Sequence, residues 1–333
     1  MIEIREFSKE DVKGVVELWN KVFKHAYKSS VFTVEQFEKM TWENRHFDPE
    51  SSFVSIRDRG GIIGFVISLA AREYENDSYW HTVIPGWIGA IAVHPDFRRS
   101  GIGKDLLHKA VTCHGKRGRE LVFVGGGEGI HYLLPGIDTR WEDAISFFQS
   151  QGFSFVRRSC HINIDLTAFE PPSRLAKRRK DLQEQGIEIR PSSHEERESY
   201  QRFLKEIGAA GQEQKMKRWI SSPEKTIIAV LNSSRIIGEV VHLGVNKQRG
   251  TAWYHDIYTL PEFRGKGIGT ALLIEAMQEC RKLGGQTMPL WTLPSIYEGF
   301  YAKIGFKVEV NWDVYAKRLD QDLLSREWIA RYL

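Results

Sequence analysis

The sequence is poor in cysteine, and the placement of its cysteines excludes several kinds of site. Its three cysteines, Cys113, Cys160 and Cys280, are widely separated in a chain of 333 residues. An odd number of cysteines without a CxxC pair indicates neither a disulfide framework nor a zinc site. We therefore expect no bound metal, and a reducing compartment such as the cytoplasm.

Long hydrophobic runs and a large excess of one charge are also absent from the sequence. The longest apolar stretch, residues 62–71, is about half the length that a membrane-spanning helix needs. The N-terminus carries charges from its third residue and lacks the apolar centre of a signal peptide. The net charge of +4 is too small to indicate nucleic-acid binding. We expect a cytoplasmic protein with no membrane or nucleic-acid partner.

What the chain does contain is one glycine-rich segment in two copies. The first copy is Arg98–Lys104 (RRSGIGK) and the second is Arg264–Thr270 (RGKGIGT). Each copy follows an apolar, strand-like run and precedes a helix-like run. Main-chain amides at such a turn into a helix form a site for anions such as phosphate. The two copies therefore indicate a duplicated phosphate-binding domain.

The duplication extends over most of each half of the chain. Three more pairs of segments match in the same order: Ile2–Arg5 with Ile187–Arg190, Ile62–Gly64 with Ile236–Gly238, and Gly152-Phe153 with Gly305-Phe306. Hydrophobic periodicity predicts the same succession of strands and helices in both repeats, including a strand at Leu121–Val124 in the first and a strand at Trp253–Thr259 in the second. We predict an N-terminal domain at 1–168, a basic linker at 169–185 that contains a Pro-Pro pair, and a C-terminal domain at 186–333.

Two common phosphate-binding motifs do not fit these loops. A Walker loop needs GxxxxGK[ST], which neither repeat contains. A dinucleotide fingerprint needs a third glycine, where this chain has Leu106 and Leu272. Both repeats match a third pattern, [QR]xxGx[GA], which follows a strand and a proline and opens an amphipathic helix.

With these residues, the chain resembles the GNAT superfamily of acyl-CoA-dependent N-acyltransferases. The resemblance is carried by residues 92–103 and 257–269 around the loops, and by residues 144–153 and 297–306 before each Gly-Phe pair. It implies an α/β fold of two tandem domains, each a mostly antiparallel, twisted mixed sheet with a central parallel strand pair flanked by helices. It also implies acetyl-CoA, or another short acyl-CoA, as co-substrate, and a primary amine of a small molecule or peptide as acceptor. A monomer and a homodimer are both compatible with it.

The resemblance places the cofactor's diphosphate on the glycine loops and the strand ends before them. Glycines let the main chain approach the phosphates closely, and the helix dipole favours their charge. The implied cofactor-binding residues are Ile91, Ala92, Val93, Arg98, Arg99, Ser100, Gly101, Ile102, Gly103 and Lys104 in the first repeat, and Ile257, Tyr258, Thr259, Arg264, Gly265, Lys266, Gly267, Ile268, Gly269 and Thr270 in the second.

Acetyl transfer to an amine requires proton transfer at two points. Only about one lysine-like amine in a few thousand is neutral at pH 7, so a base has to accept a proton. The leaving thiolate needs a proton donor, which in many GNAT enzymes is a tyrosine four residues before the Gly-Phe pair. The second repeat has Tyr301 at that position, whereas the first has Phe148. We therefore expect Tyr301 to be the general acid.

The strand before each loop also distinguishes the two repeats. The second repeat has His255 and Asp256 there, and either residue is a candidate base. Adjacent residues of a strand point to opposite faces, so both line one cleft only if a bulge intervenes. The first repeat has no ionisable residue between Trp87 and Val93. We predict that the second repeat is catalytic and that the first is ancillary, with an acyl-CoA sensor without turnover as the alternative.

Aromatic residues are frequent in the segments that should border the acceptor. Most are expected in the core, and a few are candidates for cation–π contact with an amine. These residues are Trp42, Tyr74, Tyr79 and Trp80 in the first repeat, and Trp219, Trp291, Tyr297 and Trp312 in the second.

Overall fold

The fold comprises two compact units. The computed structural model describes residues 2–24, 31–58, 61–70, 85–125, 133–208 and 212–319. Unit 1 contains the described residues up to Ser159 together with those from Val310 onward, and unit 2 contains Cys160–Glu309. These units differ from the predicted segments 1–168 and 186–333 because of the path of two strands, described below.

Unit 1 is built around one mixed sheet. Its strands are β1 (Ile2–Glu6), β2 (Phe53–Arg57), β3 (Ile62–Ala70), β4 (Pro85–Val93), β5 (Leu121–Val124), β6 (Ile137–Asp138), the start of β7 (Ser154–Asn163) and most of β15 (Lys307–Arg318). Strands β1 to β4 form an antiparallel meander, and β4 and β5 are parallel neighbours. The predicted central parallel pair is therefore present in this unit.

Helices pack against the sheet of unit 1 in two separate hydrophobic cores. The helices are α1 (Val12–Phe23), α2 (Val34–Met40), α3 (Ile102–Lys116) and α4 (Glu142–Ser150). Apolar residues of α1 recur at helical spacing, so one face of the helix is buried, with Trp19 packed on Phe37 and Phe65. In the second core, Leu106 and Ala110 of α3 are fully buried.

Unit 2 has a similar succession of strands and helices, but among its described residues β13 has no parallel neighbour, so the predicted central parallel pair is not found there. Its elements are α5 (Ser173–Glu184), β8 (Ile187–Pro191), α6 (Arg197–Glu206), α7 (Gln212–Ser221), β9 (Ile227–Leu231), β10 (Arg235–Val241), β11 (Gly244–Asn246), β12 (Thr251–Trp253), β13 (Asp256–Thr259), α8 (Ile268–Lys282), β14 (Leu290–Thr292), α9 (Pro294–Ile296) and α10 (Ala302–Ile304). Strands β13, β10, β9 and β8 form an antiparallel sheet with β13 at its edge, and β11 and β12 form a hairpin.

The final strands of the two repeats cross into the opposite unit. The end of β7, from the first repeat, pairs with β14 of unit 2 through Cys160, His161 and Ile162. Strand β15, from the second repeat, pairs with β5 of unit 1, with Ala316 opposite Phe123. Each of these final strands thus pairs with a strand of the other repeat, which is why the compact units do not follow the repeat boundaries.

The glycine that ends the repeated Ile-Ile-Gly segment is needed for the same structural reason in both units. A β-carbon at Gly64 would lie 3.0 Å from Leu106 of α3, and one at Gly238 would lie 3.0 Å from Leu272 of α8. The helix after each glycine loop therefore packs closely on the sheet only because these positions lack a side chain. This close packing fixes the start of each helix beside the end of the preceding strand.

Within the residues that the structure describes, no helix combines the length and the hydrophobicity that crossing a bilayer would require.

Candidate functional site

Both glycine loops have nearly the same backbone geometry. Gly101 and Gly267 are the N-cap residues of α3 and α8, with φ of 90° and 83°. Two residues earlier, Arg99 and Gly265 also have positive φ, at 63° and 76°. Left-handed conformations at these positions turn the main chain so that its amides face outward at the helix N-terminus. The predicted strand–loop–helix unit is present in both repeats.

An arginine at the start of each loop ties the loop to the preceding strand. The Nε of Arg98 donates to the Val93 carbonyl at 3.2 Å, and that of Arg264 donates to the Thr259 carbonyl at 3.0 Å. The Arg264 guanidinium also lies 5.2 Å from the ring centre of Tyr258. Each arginine therefore holds the loop geometry in place, in addition to any contact with phosphate.

The loop of unit 1 opens into a large groove. The cavity has a volume of about 860 Å³, within the usual range for small-molecule sites. Of the predicted cofactor residues of the first repeat, all except Ser100 and Ile102 line it. Ser100 instead donates to the Phe97 carbonyl, and Ile102 is buried beneath the loop. The wall from Ile88 to Val93 is apolar, as the sequence predicts.

The loop of unit 2 is covered by a side chain from α5. A β-carbon at Gly267 would lie 3.0 Å from Cγ and 3.1 Å from Nε of Arg178. A β-carbon at the corresponding position in unit 1, Gly101, would have only Asp105 of its own helix within 4.0 Å among the residues that the structure describes. Helix α5 is held there by Arg174, which donates to the Lys303 carbonyl at 3.2 Å, and by an ion pair between Arg179 and Glu275 at 2.5 Å. Part of the predicted basic linker is therefore a helix packed on the second loop.

The residues before the two Gly-Phe pairs differ in chemistry, as the sequence predicts. Phe148 is buried in the core of unit 1. Tyr301 is also buried, at the end of a π turn (Tyr297–Tyr301), and its hydroxyl lies 2.6 Å from the hydroxyl of Tyr254. Burial, followed by the charge of Asp256, raises the pKa of Tyr301, although the Tyr254 hydrogen bond opposes this shift. Tyr301 is therefore a protonated phenol at neutral pH.

His255 and Asp256 both lie close to α7. Asp256 forms an ion pair with Lys215 of α7 at 2.7 Å. The His255 ring lies 5.0 Å from the His242 ring, and its pKa is lowered by burial and then by the charges of His242 and Arg218. Strand pairing is interrupted between β12 and β13, and His242 opposite has a φ of 58°. This irregularity interrupts the regular strand alternation at His255 and Asp256.

A charged network next to Asp256 was not anticipated from the sequence. Glu239 of β10 is fully buried, accepts a hydrogen bond from the Tyr200 hydroxyl at 2.8 Å, and has Lys215 at 3.8 Å. Burial raises the pKa of Glu239 to about 7. The sequence feature that could have indicated this network is Glu239 itself, a carboxylate within the apolar run Ile236–Val241. Lys215 lies on a polar helix with other cations, so its sequence context does not indicate that it belongs to this network.

The aromatic residues divide between the core and the exterior. Trp219 and Trp312 are fully buried, Trp42 and Tyr297 are partly buried, and Trp291 is exposed. Trp219 stacks on Tyr200 with ring centres 4.9 Å apart, directly beside the Glu239 carboxylate. Tyr74, Tyr79 and Trp80 lie outside the described residues. In the described ranges, no group of histidine, cysteine and carboxylate side chains is arranged to hold a metal ion.

Comparison with known proteins agrees with this geometry. The profile of the acetyltransferase (GNAT) domain matches residues 49–155 and 223–308. An uncharacterised N-acetyltransferase of Methanocaldococcus jannaschii is 35% identical over 78 residues, which cover 22% of this chain and 34% of that relative.

Solved structures share the fold over nearly the whole chain. A GCN5-related N-acetyltransferase from Sphaerobacter thermophilus has a TM-score of 0.64 at 18% identity, covering 95% of both chains. A tandem GNAT protein from the clavulanic acid biosynthesis pathway has a TM-score of 0.58 at 15% identity, covering 96% of this chain and 98% of that one. The glucosamine N-acetyltransferase region of a fungal multi-domain enzyme has a TM-score of 0.71 at 14% identity, covering 95% of this chain but 38% of the fungal one. The chain therefore belongs to the GNAT acetyltransferase family, with one matching region in each half.

Proposed function

We propose that this protein transfers the acetyl group of acetyl-CoA to a primary amine of a small molecule or peptide, with the chemistry in unit 2. Acetyl-CoA supplies an activated thioester. The observation that carries the proposal is the part-buried Tyr254–Tyr301 hydroxyl pair, which lies on the same unit as Asp256 and an intact glycine loop. Unit 1 has no equivalent phenol, because Phe148 replaces it.

Tyr301 is suited to the role of general acid. Its raised pKa keeps the phenol protonated at neutral pH, so that it can give its proton to the departing sulfur. Tyr254 can replace that proton through the 2.6 Å contact between the two hydroxyls.

Asp256 and His255 are suited to different parts of amine activation. Asp256 already binds an ammonium group, that of Lys215, and would hold the acceptor's ammonium in the same way. The lowered pKa of His255 keeps its imidazole neutral near pH 7, so it can accept a proton directly or through water. We assign orientation of the amine to Asp256 and the base role to His255.

The glycine loops of both units fit a diphosphate. Positive φ at Gly101 and Gly267 turns main-chain amides outward, and Lys104 and Arg178 add positive charge beside the two loops. A second candidate function applies to unit 1 alone, because the strand that lines its groove has no proton-transfer group between Ile88 and Val93. We propose that unit 1 binds acyl-CoA without turning it over.

The experiment that tests this function follows thiol release from acetyl-CoA with a panel of primary amines and amino-terminal peptides. Release that depends on the amine, and an acetylated product detected by mass spectrometry, are the expected results. CoA binding without thiol release across the panel would instead identify the whole chain as an acyl-CoA sensor. A cytoplasmic location, the absence of nucleic-acid partners and the oligomeric state stay predictions.

A further inference from the structure

The ammonium group of Lys215 lies between two carboxylates of unit 2. Its Nζ is 2.7 Å from Oδ2 of Asp256 and 3.8 Å from Oε1 of Glu239. The three residues come from α7, β13 and β10, so they are brought together only by the fold. The Lys215 side chain is 22% exposed, compared with 48% for Asp256 and 0% for Glu239. The cluster is therefore closed at Glu239 and open to solvent at Asp256.

One oxygen of the Glu239 carboxyl group lacks a hydrogen-bond donor among the described residues. One carboxylate oxygen, Oε2, accepts the Tyr200 hydroxyl at 2.8 Å. The other, Oε1, is buried and has no hydrogen-bond partner among the described residues; Lys215 is its nearest charge. A buried carboxylate oxygen without a donor is costly, because the protein must compensate for the water that it has lost. A cation that approached more closely than Lys215 would supply that missing donor.

Aromatic side chains adjoin this cluster. Tyr200 stacks on Trp219 behind Glu239, with an angle of 19° between the ring planes. Tyr254 lies two residues before Asp256 and carries the hydroxyl that contacts Tyr301. The aliphatic stem of Lys215 thus shows how an extended chain reaches the carboxylates, since a lysine stem packs on apolar surface while its head remains polar.

We propose that Asp256 and Glu239 form a binding site for a primary alkylammonium group, and that Lys215 occupies this site as an internal competitor of the amine acceptor. The proposal rests on the proposed function, because it names the chemical class of the acceptor. An acceptor amine would displace the Lys215 head group and bind beside Asp256, close to the Tyr254–Tyr301 pair.

The geometry selects primary amines for a simple chemical reason. An ammonium group has three donors, which suffice for Asp256, Oε1 of Glu239 and one further acceptor. A quaternary ammonium group has no N–H donor and would leave Oε1 of Glu239 unpaired. A guanidinium group presents its donors in a planar fork, which fits a single carboxylate better than two separated ones. The expected ligand therefore resembles a lysine side chain.

The test measures binding of n-butylamine by isothermal titration in the absence of acetyl-CoA. Lys215→Ala removes the internal ammonium and leaves an opening of the same shape. We expect this variant to bind n-butylamine on the order of ten to a hundred times more tightly than the unmodified protein, the range expected for a hydrogen-bonded charged group. The midpoint of thermal unfolding should rise with amine concentration for both proteins, but the variant should need about ten to a hundred times less amine for the same rise.

Matched variants test whether the amine binds at the two carboxylates and at no other surface of unit 2. Lys217→Ala, on the same helix but at an exposed position, should bind no more amine than the unmodified protein. Lys215→Met fills the opening with a neutral chain, keeps the helix packed and should not bind the amine. Adding Asp256→Asn to Lys215→Ala should abolish the gain in affinity.

Three results would overturn the proposal: no gain in affinity for Lys215→Ala while Lys215→Met is folded, equal binding of n-butanol, or equal binding of tetramethylammonium. Because the titration contains no acetyl-CoA, these results are independent of acetyl transfer. A positive binding result with no thiol release in the amine assay would refute the enzyme function and leave the ammonium site standing.

Discussion

The hydroxyl oxygens of Tyr254 and Tyr301 lie 2.6 Å apart, although Tyr254 lies between β12 and β13 and Tyr301 belongs to a helical segment 47 residues later. Tyr301 ends a π turn, Tyr297–Tyr301, where the helix carries an extra residue in its hydrogen-bonding ring. Burial is the main cause that raises the pKa of each phenol. Both phenols are therefore protonated at neutral pH, and their hydroxyl groups contact each other.

The first prediction concerns Tyr301→Phe. This variant should lose roughly 10²–10⁴-fold in kcat, because it removes the proposed general acid while the ring still packs. Tyr254→Phe breaks the same 2.6 Å contact but leaves the acid in place, so its loss should be clearly smaller. Steady-state thiol release measures both. Equal rates for Tyr301→Phe and the unmodified protein would remove Tyr301 from the mechanism.

The elements nearest the glycine loops could be predicted from the sequence because local signals determine them. The run Leu121–Val124 forms the predicted strand with the same bounds. Helix α3 begins directly after Gly101, since a left-handed glycine and an apolar stripe at helical spacing coincide there. The repeated Ile-Ile-Gly segment was visible as a pattern, but its cause, close packing of Leu106 on Gly64, depends on the fold.

Long-range pairing could not be predicted from the sequence. The predicted strand Trp253–Thr259 is interrupted, because Tyr254 and His255 lie between β12 and β13. Nothing in β15 indicates that Ala316 pairs with Phe123 of the other repeat and not within its own. Lys215 is one of several cations on a polar helix, and only tertiary structure brings its ammonium to Asp256. Each of these features depends on residues distant in sequence.

The second prediction compares two glycines of unit 1 with positive φ. Gly101 lines the groove at φ 90°, and Gly118 lies at φ 73° with no heavy atom near its missing β-carbon. Alanine at either position should cost about 1–2 kcal/mol in unfolding free energy, because both are left-handed. Only Gly101→Ala should weaken CoA binding, by roughly tenfold or more, since its methyl group enters the groove. Calorimetric titration with CoA would contradict this if the two variants bound equally.

The third prediction concerns Arg178, which lies over the second loop. Arg178→Ala should weaken CoA binding to unit 2 by on the order of tenfold, the value of one charge-assisted hydrogen bond. The measurement is made in a Gly101→Ala background, where the contribution of unit 1 is reduced. Lys177→Ala, at the neighbouring exposed position, is the control and should change the affinity little. Tighter binding by Arg178→Ala would show that this arginine blocks the loop.

The fourth prediction concerns a buried histidine of unit 1. His114 is fully buried, its Nδ1 lies 2.5 Å from Arg119, and Arg119 is paired with buried Asp48. Burial, followed by the charge of Arg119, lowers the pKa of His114 from 6.5 to about 3. The folded protein thus keeps this imidazole neutral over a range in which the unfolded chain binds a proton.

The sign of the pH effect follows from linkage. Above pH 6.5 neither state protonates His114, so its contribution is constant; below pH 6.5 the unfolded state alone takes up the proton. The unfolding free energy should therefore fall as the pH drops from 6.5 towards 3, by about 2 kcal/mol at pH 5. Glu239 acts in the opposite direction, because its raised pKa favours the folded state as the pH falls below 7.

Comparing the pH slope of urea unfolding for the unmodified protein and His114→Gln isolates the contribution of the histidine, since Glu239 is common to both. The variant should be less stable at pH 7 but lose less stability between pH 7 and pH 5, and parallel slopes would show that His114 is not held neutral.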